Sequence, residues 1–236
     1  MDSVVEAQVA KGLPFLALFV LLLGLTGCAS VSTHSLERFG EPTRKIAPEI
    51  IYVHGFDAPA DVFRVDRPED DAALLREEES QRLARNIVWR LRNRILPSSI
   101  LPNNEELPRG NYWLVTGKFV RVNQGSRALR MVIGFGAGGT KVETEVEVFD
   151  LSGAVPELVM RFRTTGGSNA QPGAIANTSW WSAGLSGASL AFTGIRFDIA
   201  RTSREITASL SQELASQGIL PSDKRATRPK QLGKWP

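Results

Sequence analysis

The chain has one cysteine and two histidines among its 236 residues. A single cysteine cannot form an internal disulfide, and so few histidines leave little material for a metal centre or a Ser-His-Asp triad. A large excess of one charge is also missing, since the net charge is +3, which does not by itself indicate a nucleic-acid-binding protein. Hydrophobic residues make up 42% of the chain, which excludes disorder throughout and predicts one sizeable core.

The N-terminal region contains the longest apolar run, from Leu13 to Leu25. This run is too short to cross a bilayer core of ~30 Å, but it has the length of the hydrophobic part of a signal peptide. Leu25-Thr26-Gly27-Cys28 follows at once and resembles the lipobox of bacterial lipoproteins. The resemblance implies a diacylglycerol on Cys28 and cleavage after Gly27. By the sorting rule of proteobacterial lipoproteins, Ala29 implies the periplasmic face of the outer membrane.

Composition then divides the chain into four parts. We predict a lipoprotein signal peptide over 1–27 and a lipidated tether over 28–48, where no periodicity is found. A single periplasmic domain is predicted over 49–220, and a basic, disordered tail over 221–236.

The domain sequence alternates between helical and strand periods. A buried strand is predicted over 49–56, and a helix over 74–96 has apolar residues at every fourth position. Strand patterns follow over 111–122, 127–133, 141–149 and 158–164, and a second amphipathic helix runs from Ile195 to a C-cap at Gly218. The predicted fold class is α+β: a two-layer domain with a mostly antiparallel sheet of about four to five strands and both amphipathic helices on one face.

Charged residues on the last two predicted strands allow two interpretations. Glu143, Glu145 and Glu147 share one strand face, as in a hard-cation site. Because Arg161 and Arg163 alternate on the neighbouring strand, we expect a solvated ladder of opposite charges instead.

Two motifs suggest catalysis or cofactor binding, and neither has the required context. His54-Gly55 after a hydrophobic strand resembles the oxyanion strand of α/β-hydrolases, but no histidine follows His54 to serve as general base. The segment 134–139 matches the dinucleotide-binding pattern GxGxxG, yet a strand rather than a helix follows it. We therefore predict no enzyme, no cofactor and no metal site.

Interaction residues are predicted from glycine and tryptophan content. The glycine-rich segment is interpreted as a turning connection or an interaction surface. Trp180 and Trp181 lie among small residues, as in either an interface anchor or a core plug, and the sequence leaves these two open. The candidate interaction residues are Gly134, Phe135, Gly136, Gly138, Trp180 and Trp181.

The arginines of the first predicted helix offer a further surface. They suit nucleic acid or anionic headgroups, although a solvated helix face is the default. A nucleic-acid partner is not expected behind a secretion signal.

The segments Tyr112–Lys118, 123–126 and Arg130–Gly138, followed by the acidic alternating strand, resemble the uncharacterised bacterial lipoprotein family 4410, a domain of unknown function. The resemblance covers 49–218 and implies no catalytic residues. More distantly, Leu114-Val115-Thr116-Gly117 on a strand is similar to the periplasmic domain of curli-secretion-type envelope lipoproteins. The segment 166–194 departs from that group, so pore formation is not implied.

These observations predict a lipid-anchored, non-enzymatic bacterial envelope protein of binding or assembly-accessory type. Its expected partners are the membrane, through the lipid anchor, and another envelope protein or polymer. Homo-oligomerisation through Trp180 and Trp181 is a further prediction. The alternative is a small-ligand-binding or enzymatic periplasmic domain that uses the loop 134–139.

Overall fold

The computed structural model describes residues 30–39, 46–65, 68–124, 140–168, 183–221 and 224. Their side chains are described except at 30, 167–168 and 183–194. These residues form seven strands and two long helices. The strands are β1 Ser30–Arg38, β2 Ile50–Val53, β3 Phe63–Arg64, β4 Ser98–Ile100, β5 Tyr112–Asn123, β6 Thr140–Asp150 and β7 Glu157–Ser168; the helices are α1 Glu69–Arg94 and α2 Ala183–Ser216.

The strands form one mixed sheet in the order β1-β7-β6-β5-β2-β4, and β3 pairs with the far end of β5. The pairs β1–β7, β7–β6 and β6–β5 are antiparallel, whereas β2 is parallel to both β4 and β5, and β3 is parallel to β5. The parallel half arises because α1 is the crossover between β2 and β4, and a helical crossover returns the chain to the same end of the sheet.

Both helices pack on the same face of the sheet, so the predicted two-layer α+β arrangement is confirmed. One apolar cluster contains the inward residues of the sheet together with those of both helices. Its members include Ile51, Val53, Val115, Phe119, Val146 and Phe162 from the sheet, Leu83, Ile87 and Leu91 from α1, and Ile199, Ile206 and Leu210 from α2. A smaller cluster around Leu101, Leu114 and Leu151 lies outside it.

Terminal residues explain where the helices begin and end. The first turn of α1 carries Glu69, Asp70 and Asp71, and its last turn carries Arg92 and Arg94. This distribution suits the helix dipole. The C-cap predicted at Gly218 is confirmed: its φ is 68°, and the Ile219 amide donates to the Leu214 carbonyl at 2.9 Å, as in a Schellman motif.

The predicted number of four to five strands is too low, because the described sheet has seven. The predicted antiparallel pairing holds for β1, β7, β6 and β5, whereas β2, β3 and β4 pair in parallel. β3 and β4 have only two and three residues, too few to show an alternating pattern. The predicted strand over 127–133 lies outside the described residues.

Residues 30–38 form an edge strand and are not part of a tether as predicted. Their apolar alternation is interrupted because Thr33 faces inward and its hydroxyl hydrogen-bonds that of Ser209 at 2.9 Å. A register shift between His34 and Glu37, with φ 51° at Ser35, breaks the pattern further.

The helices start earlier than their apolar periodicity predicts. α1 begins at Glu69 rather than at residue 74, and α2 begins at Ala183 rather than at Ile195. In both cases the added turns contain few large apolar residues, so the helical period is not visible in the sequence.

Candidate functional site

The described surface has a crevice at the carboxyl ends of β2 and β4. The loop after β2, the loop after β4 and the first half of α1 enclose a cavity of about 510 Å³. Ligands of open α/β sheets bind at this edge of parallel strands. The polar lining residues are Asp57, Arg76, Glu77, Ser80, Gln81, Asn103 and Asn104.

Asn103 holds the two loops together. Its Oδ1 accepts a hydrogen bond from the Gly55 amide at 2.9 Å, and its Nδ2 donates to the Gly55 carbonyl at 3.1 Å. From α1, the Ser80 hydroxyl donates to the Phe56 carbonyl at 2.5 Å. A Cβ on Gly55 would lie 3.0 Å from Gln81 Nε2, so glycine lets the loop approach the helix closely. The crevice wall is thus fixed by side chains that bond to the backbone.

The charges of the crevice leave one carboxylate available. Arg76 pairs with Glu69 at 2.9 Å, and Glu77 accepts a hydrogen bond from Gln81 at 3.2 Å. Among the described residues, the exposed Asp57 carboxylate has no hydrogen bond or ion pair. The crevice therefore offers a carboxylate, amides and a hydroxyl, which suit a polar ligand that donates hydrogen bonds.

An aromatic layer supports the crevice from below. Phe56 packs against Phe119 with ring centroids 6.3 Å apart, and Phe63 meets Phe119 edge to face at 5.3 Å. Gly117 makes room for this layer, since a Cβ there would lie 2.7 Å from the Phe56 ring and 2.3 Å from the Glu145 carbonyl oxygen.

His54 lies at the end of β2 and is half-buried, in agreement with its interpretation as a strand-end residue. Burial lowers its pKa, and the nearby Asp57 carboxylate opposes that shift. Within the described part of the chain, its Nε2 has no hydrogen-bond partner. The sequence Gly184-Leu185-Ser186-Gly187 comes nearest to the nucleophile elbow of a hydrolase, but it lies within α2 rather than after a strand, so the hydrolase arrangement is not formed there.

The charged face of β5, β6 and β7 forms the predicted ladder. Glu145 pairs with Arg163 at 2.6 Å and with Lys118 at 3.0 Å, and Glu147 pairs with Arg161 at 2.6 Å. These carboxylates are engaged by cations of the neighbouring strands. Among the residues that the structure describes, no group of three or more His, Cys, Asp or Glu is placed to hold a metal ion.

The predicted lipidation and interaction residues lie outside the described residues. These are Cys28, Gly134, Phe135, Gly136, Gly138, Trp180 and Trp181. The structure does describe the sheet positions where their segments are attached. Lys141 pairs with Asn123, Thr140 pairs with Ser168, and Ser30 pairs with Gly167, so the segments 125–139 and 169–182 and the residues before Ser30 all join the same end of the sheet.

The crevice has no signature in the sequence that predicts it. Asn103 follows Pro102 in the segment between the helix predicted over 74–96 and the strand predicted over 111–122, and Ser80 and Gln81 lie in a charged helix. The one available signal was the buried strand predicted over 49–56, because it contains β2 and the residues at its carboxyl end.

Comparison with known proteins identifies the family. Residues 51–176, just over half of the chain, match the domain of unknown function DUF4410. The chain belongs to the DUF4410 family. This confirms the resemblance predicted from the segments around Tyr112 and Gly134, whereas the resemblance to curli-secretion-type lipoproteins stays a prediction. DUF4410 membership assigns no activity, and no curated protein matches the chain.

Two solved structures show a distant likeness. One is the PelC dodecamer from Paraburkholderia phytofirmans, with 13% identity, a TM-score of 0.31, and coverage of 74% of this chain and 96% of that chain. The other is a point variant of that dodecamer, with 11% identity, a TM-score of 0.32 and the same coverage. Neither similarity supports a functional argument at this distance. In the described part of this DUF4410 chain, the helices are too short or too polar to cross a membrane.

Proposed function

We propose that this chain is a lipid-anchored, non-enzymatic binding protein of the bacterial envelope. It is attached through Cys28 to the periplasmic face of the outer membrane and acts as an accessory to another envelope protein or polymer. The observation that supports this most directly is the lipobox-like sequence Leu25-Thr26-Gly27-Cys28 after the apolar run. β1 begins at Ser30, two residues after Cys28. A lipid on Cys28 would therefore hold one end of the sheet at the membrane surface, with no long tether between them.

The same end of the sheet carries the attachment points of the predicted interaction segments. The chain leaves the described sheet after Gln124 and Ser168 and re-enters it at Thr140. Phe135, Trp180 and Trp181 belong to the intervening segments. We therefore place the partner-binding region at the membrane-proximal end, and the assembly of several copies there is the homo-oligomeric form of the same proposal.

A second candidate function, the binding of a small polar ligand, is favoured by the crevice. Its volume of about 510 Å³ is typical of small-molecule sites, and its wall is fixed by the Asn103–Gly55 hydrogen bonds. In this case the ligand would contact Asp57 and Asn103 rather than the loop 134–139.

Anchoring is tested by substituting Cys28→Ser in the full chain. The variant should accumulate as an unprocessed precursor that no longer incorporates labelled palmitate, because the thioether linkage needs the thiol. Ala29→Asp is the matched control, since it should keep the label but shift the protein to the inner membrane. Continued labelling of the Cys28→Ser variant, with outer-membrane fractionation, would show that the lipoprotein assignment is wrong.

The binding region is tested by the double substitution Trp180→Ala and Trp181→Ala. If the pair anchors a partner, capture from solubilised envelopes should be lost while the melting temperature changes little. A pair in the core would cost on the order of 3–5 kcal/mol for each truncation. For a domain of this size, each 1 kcal/mol lowers the melting temperature by roughly 2–4 °C.

The matched control for the tryptophan pair is Trp89→Ala, because Trp89 is 58% exposed on α1. This variant should keep both stability and partner capture. A large drop in melting temperature of the double variant, with capture retained by the folded fraction, would assign the pair to the core.

A further inference from the structure

The second half of α1 is strongly basic. From Arg82 to Arg94 it contains five arginines and no carboxylate. Arg82 pairs with Glu78 and Glu79, and Arg92 donates to the Ser98 carbonyl just after the helix at 3.0 and 2.6 Å. The other three are Arg85, Arg90 and Arg94.

Arg90 is held in place by neutral acceptors of α2. Its Nε donates to the Ser203 hydroxyl at 3.1 Å, and its Nη2 donates to the Ala200 carbonyl at 3.3 Å. These bonds orient the guanidinium without neutralising its charge. A half-buried cation with neutral partners attracts an anion more strongly than a solvated one does.

Two more guanidinium groups lie beside Arg90. Arg94 is one helical turn further along α1, and Arg204 projects from α2. Burial is the first cause of a lowered pKa at Arg90, and the positive charges of Arg94 and Arg204 are the other two. Arg204 pairs with Glu205 at 3.1 Å, while Arg94 has no hydrogen bond or ion pair within the described part of the chain. The three arginines therefore have one carboxylate, that of Glu205, beside them, and the net charge of the group is about +2.

We propose that Arg90, Arg94 and Arg204 form a binding site for a phosphate group. A phosphate monoester carries about −1.5 to −2 charges at neutral pH, which matches this cluster better than a single carboxylate does. Guanidinium forks donate pairs of parallel hydrogen bonds to phosphate oxygens.

The contacts of α2 place the cluster near one end of the sheet. Arg90 bonds to Ala200 and Ser203 of α2, and Asp198, two residues before Ala200, accepts a hydrogen bond from the Thr140 hydroxyl. Thr140 lies at the end of the sheet that also holds Ser30. If Cys28 anchors the Ser30 end, as proposed above, the phosphate has two possible sources, a lipid headgroup and a soluble or polymer-borne phosphate.

The site is tested by titrating the full chain, in a non-ionic detergent, with inorganic pyrophosphate at constant ionic strength by calorimetry. Arg94→Gln and Arg204→Gln should each weaken binding about tenfold or more, because each removes a charge-assisted hydrogen bond. Arg85→Gln is the matched control: Arg85 is exposed on the same helix, and at 100° per residue it points roughly 140° away from Arg90. Its substitution should leave the affinity unchanged.

Saturable binding that only the first two variants weaken supports the site. Absence of saturable binding, or equal weakening by all three variants, overturns it, because the second result is that of a non-specific charge effect.

A second arm separates the two sources of phosphate. The lipidated protein is reconstituted into phosphatidylcholine vesicles with or without phosphatidylglycerol, and its affinity for pyrophosphate is measured on both. Equal affinities assign the site to a soluble or polymer-borne phosphate, whereas loss of binding on the anionic vesicles assigns it to lipid headgroups. Failure of reconstitution would count against the anchor alone, since the detergent titration does not depend on it.

Discussion

Asn103 forms a closed pair of hydrogen bonds with the backbone of Gly55, accepting from its amide at 2.9 Å and donating to its carbonyl at 3.1 Å. A side-chain amide reproduces a peptide group here, so the loop after β4 is joined to the loop after β2 as a neighbouring strand would be. The two residues are 48 positions apart in the sequence. This contact shapes the crevice that is the candidate for small-ligand binding.

We expect Asn103→Ala to destabilise the domain by about 1–3 kcal/mol, because the buried Gly55 backbone would lose both partners. Asn103→Asp is the matched variant, since it keeps the acceptor for the Gly55 amide and places a second acceptor against the Gly55 carbonyl. Urea unfolding measures the free energy of unfolding of both variants. An Ala variant as stable as the wild type would show that the pair does not hold the loops together.

Gly117→Ala should be severely destabilising. The added Cβ would lie 2.3 Å from the Glu145 carbonyl oxygen and 2.7 Å from the Phe56 ring, and the first of these atoms is backbone in a paired strand. Overpacking of this kind costs about 3 kcal/mol or more when the backbone must move. Gly218→Ala provides a comparison, because a Cβ there meets nothing within 4 Å and only the φ of 68° is unfavourable. Its cost should be near 1 kcal/mol.

Thermal unfolding of the two glycine variants checks this order. If Gly117→Ala were no more harmful than Gly218→Ala, the close approach of β5, β6 and Phe56 would be contradicted.

Long periodic segments of this chain could be predicted from the sequence. The stripe through Leu83, Ile87 and Leu91 and the alternation through Val142, Val146 and Val148 each extend over several periods, and only one structure buries them. The ladder of Glu145 and Arg163 followed from the same alternation, since the register that buries Val146 and Phe162 sets the charges opposite each other.

Features that depend on distant partners could not be predicted. Thr33 faces the core because Ser209, far along the chain, accepts or donates its hydrogen bond. β4 has three residues, and its parallel pairing with β2 is set by the crossover helix rather than by its own sequence. The crevice combines three segments that only the folded chain brings together, and none of them carries a local motif.

Glu79 is 1% exposed at the interface of the two helices. Its Oε2 lies 3.1 Å from Arg82 Nε, and its Oε1 lies 4.0 Å from Arg196 Nε. Burial raises the pKa of Glu79 above its ordinary value of 4.5, and the charge of Arg82 offsets part of that shift. A carboxyl group with a raised pKa binds its proton more tightly in the folded state. Its contribution to stability is therefore greatest below pH 4.5 and declines as the pH rises through the raised pKa.

Glu79→Gln should remove this decline. The free energy of unfolding of the variant, relative to the wild type, is expected to increase as the pH is raised from about 4 towards 7, as measured by urea unfolding at each pH. Glu78→Gln is the matched control, because Glu78 also pairs with Arg82 but is 46% exposed. Glu145 works in the opposite direction, since its hydrogen bond from Arg163 lowers its pKa and its contribution is lost as the pH falls below 4.5. Glu145 is unchanged in both variants, so its contribution cancels when the free energy of unfolding of a variant is compared with that of the wild type. If the difference in free energy of unfolding between Glu79→Gln and the wild type did not vary with pH, the raised pKa of Glu79 would be contradicted.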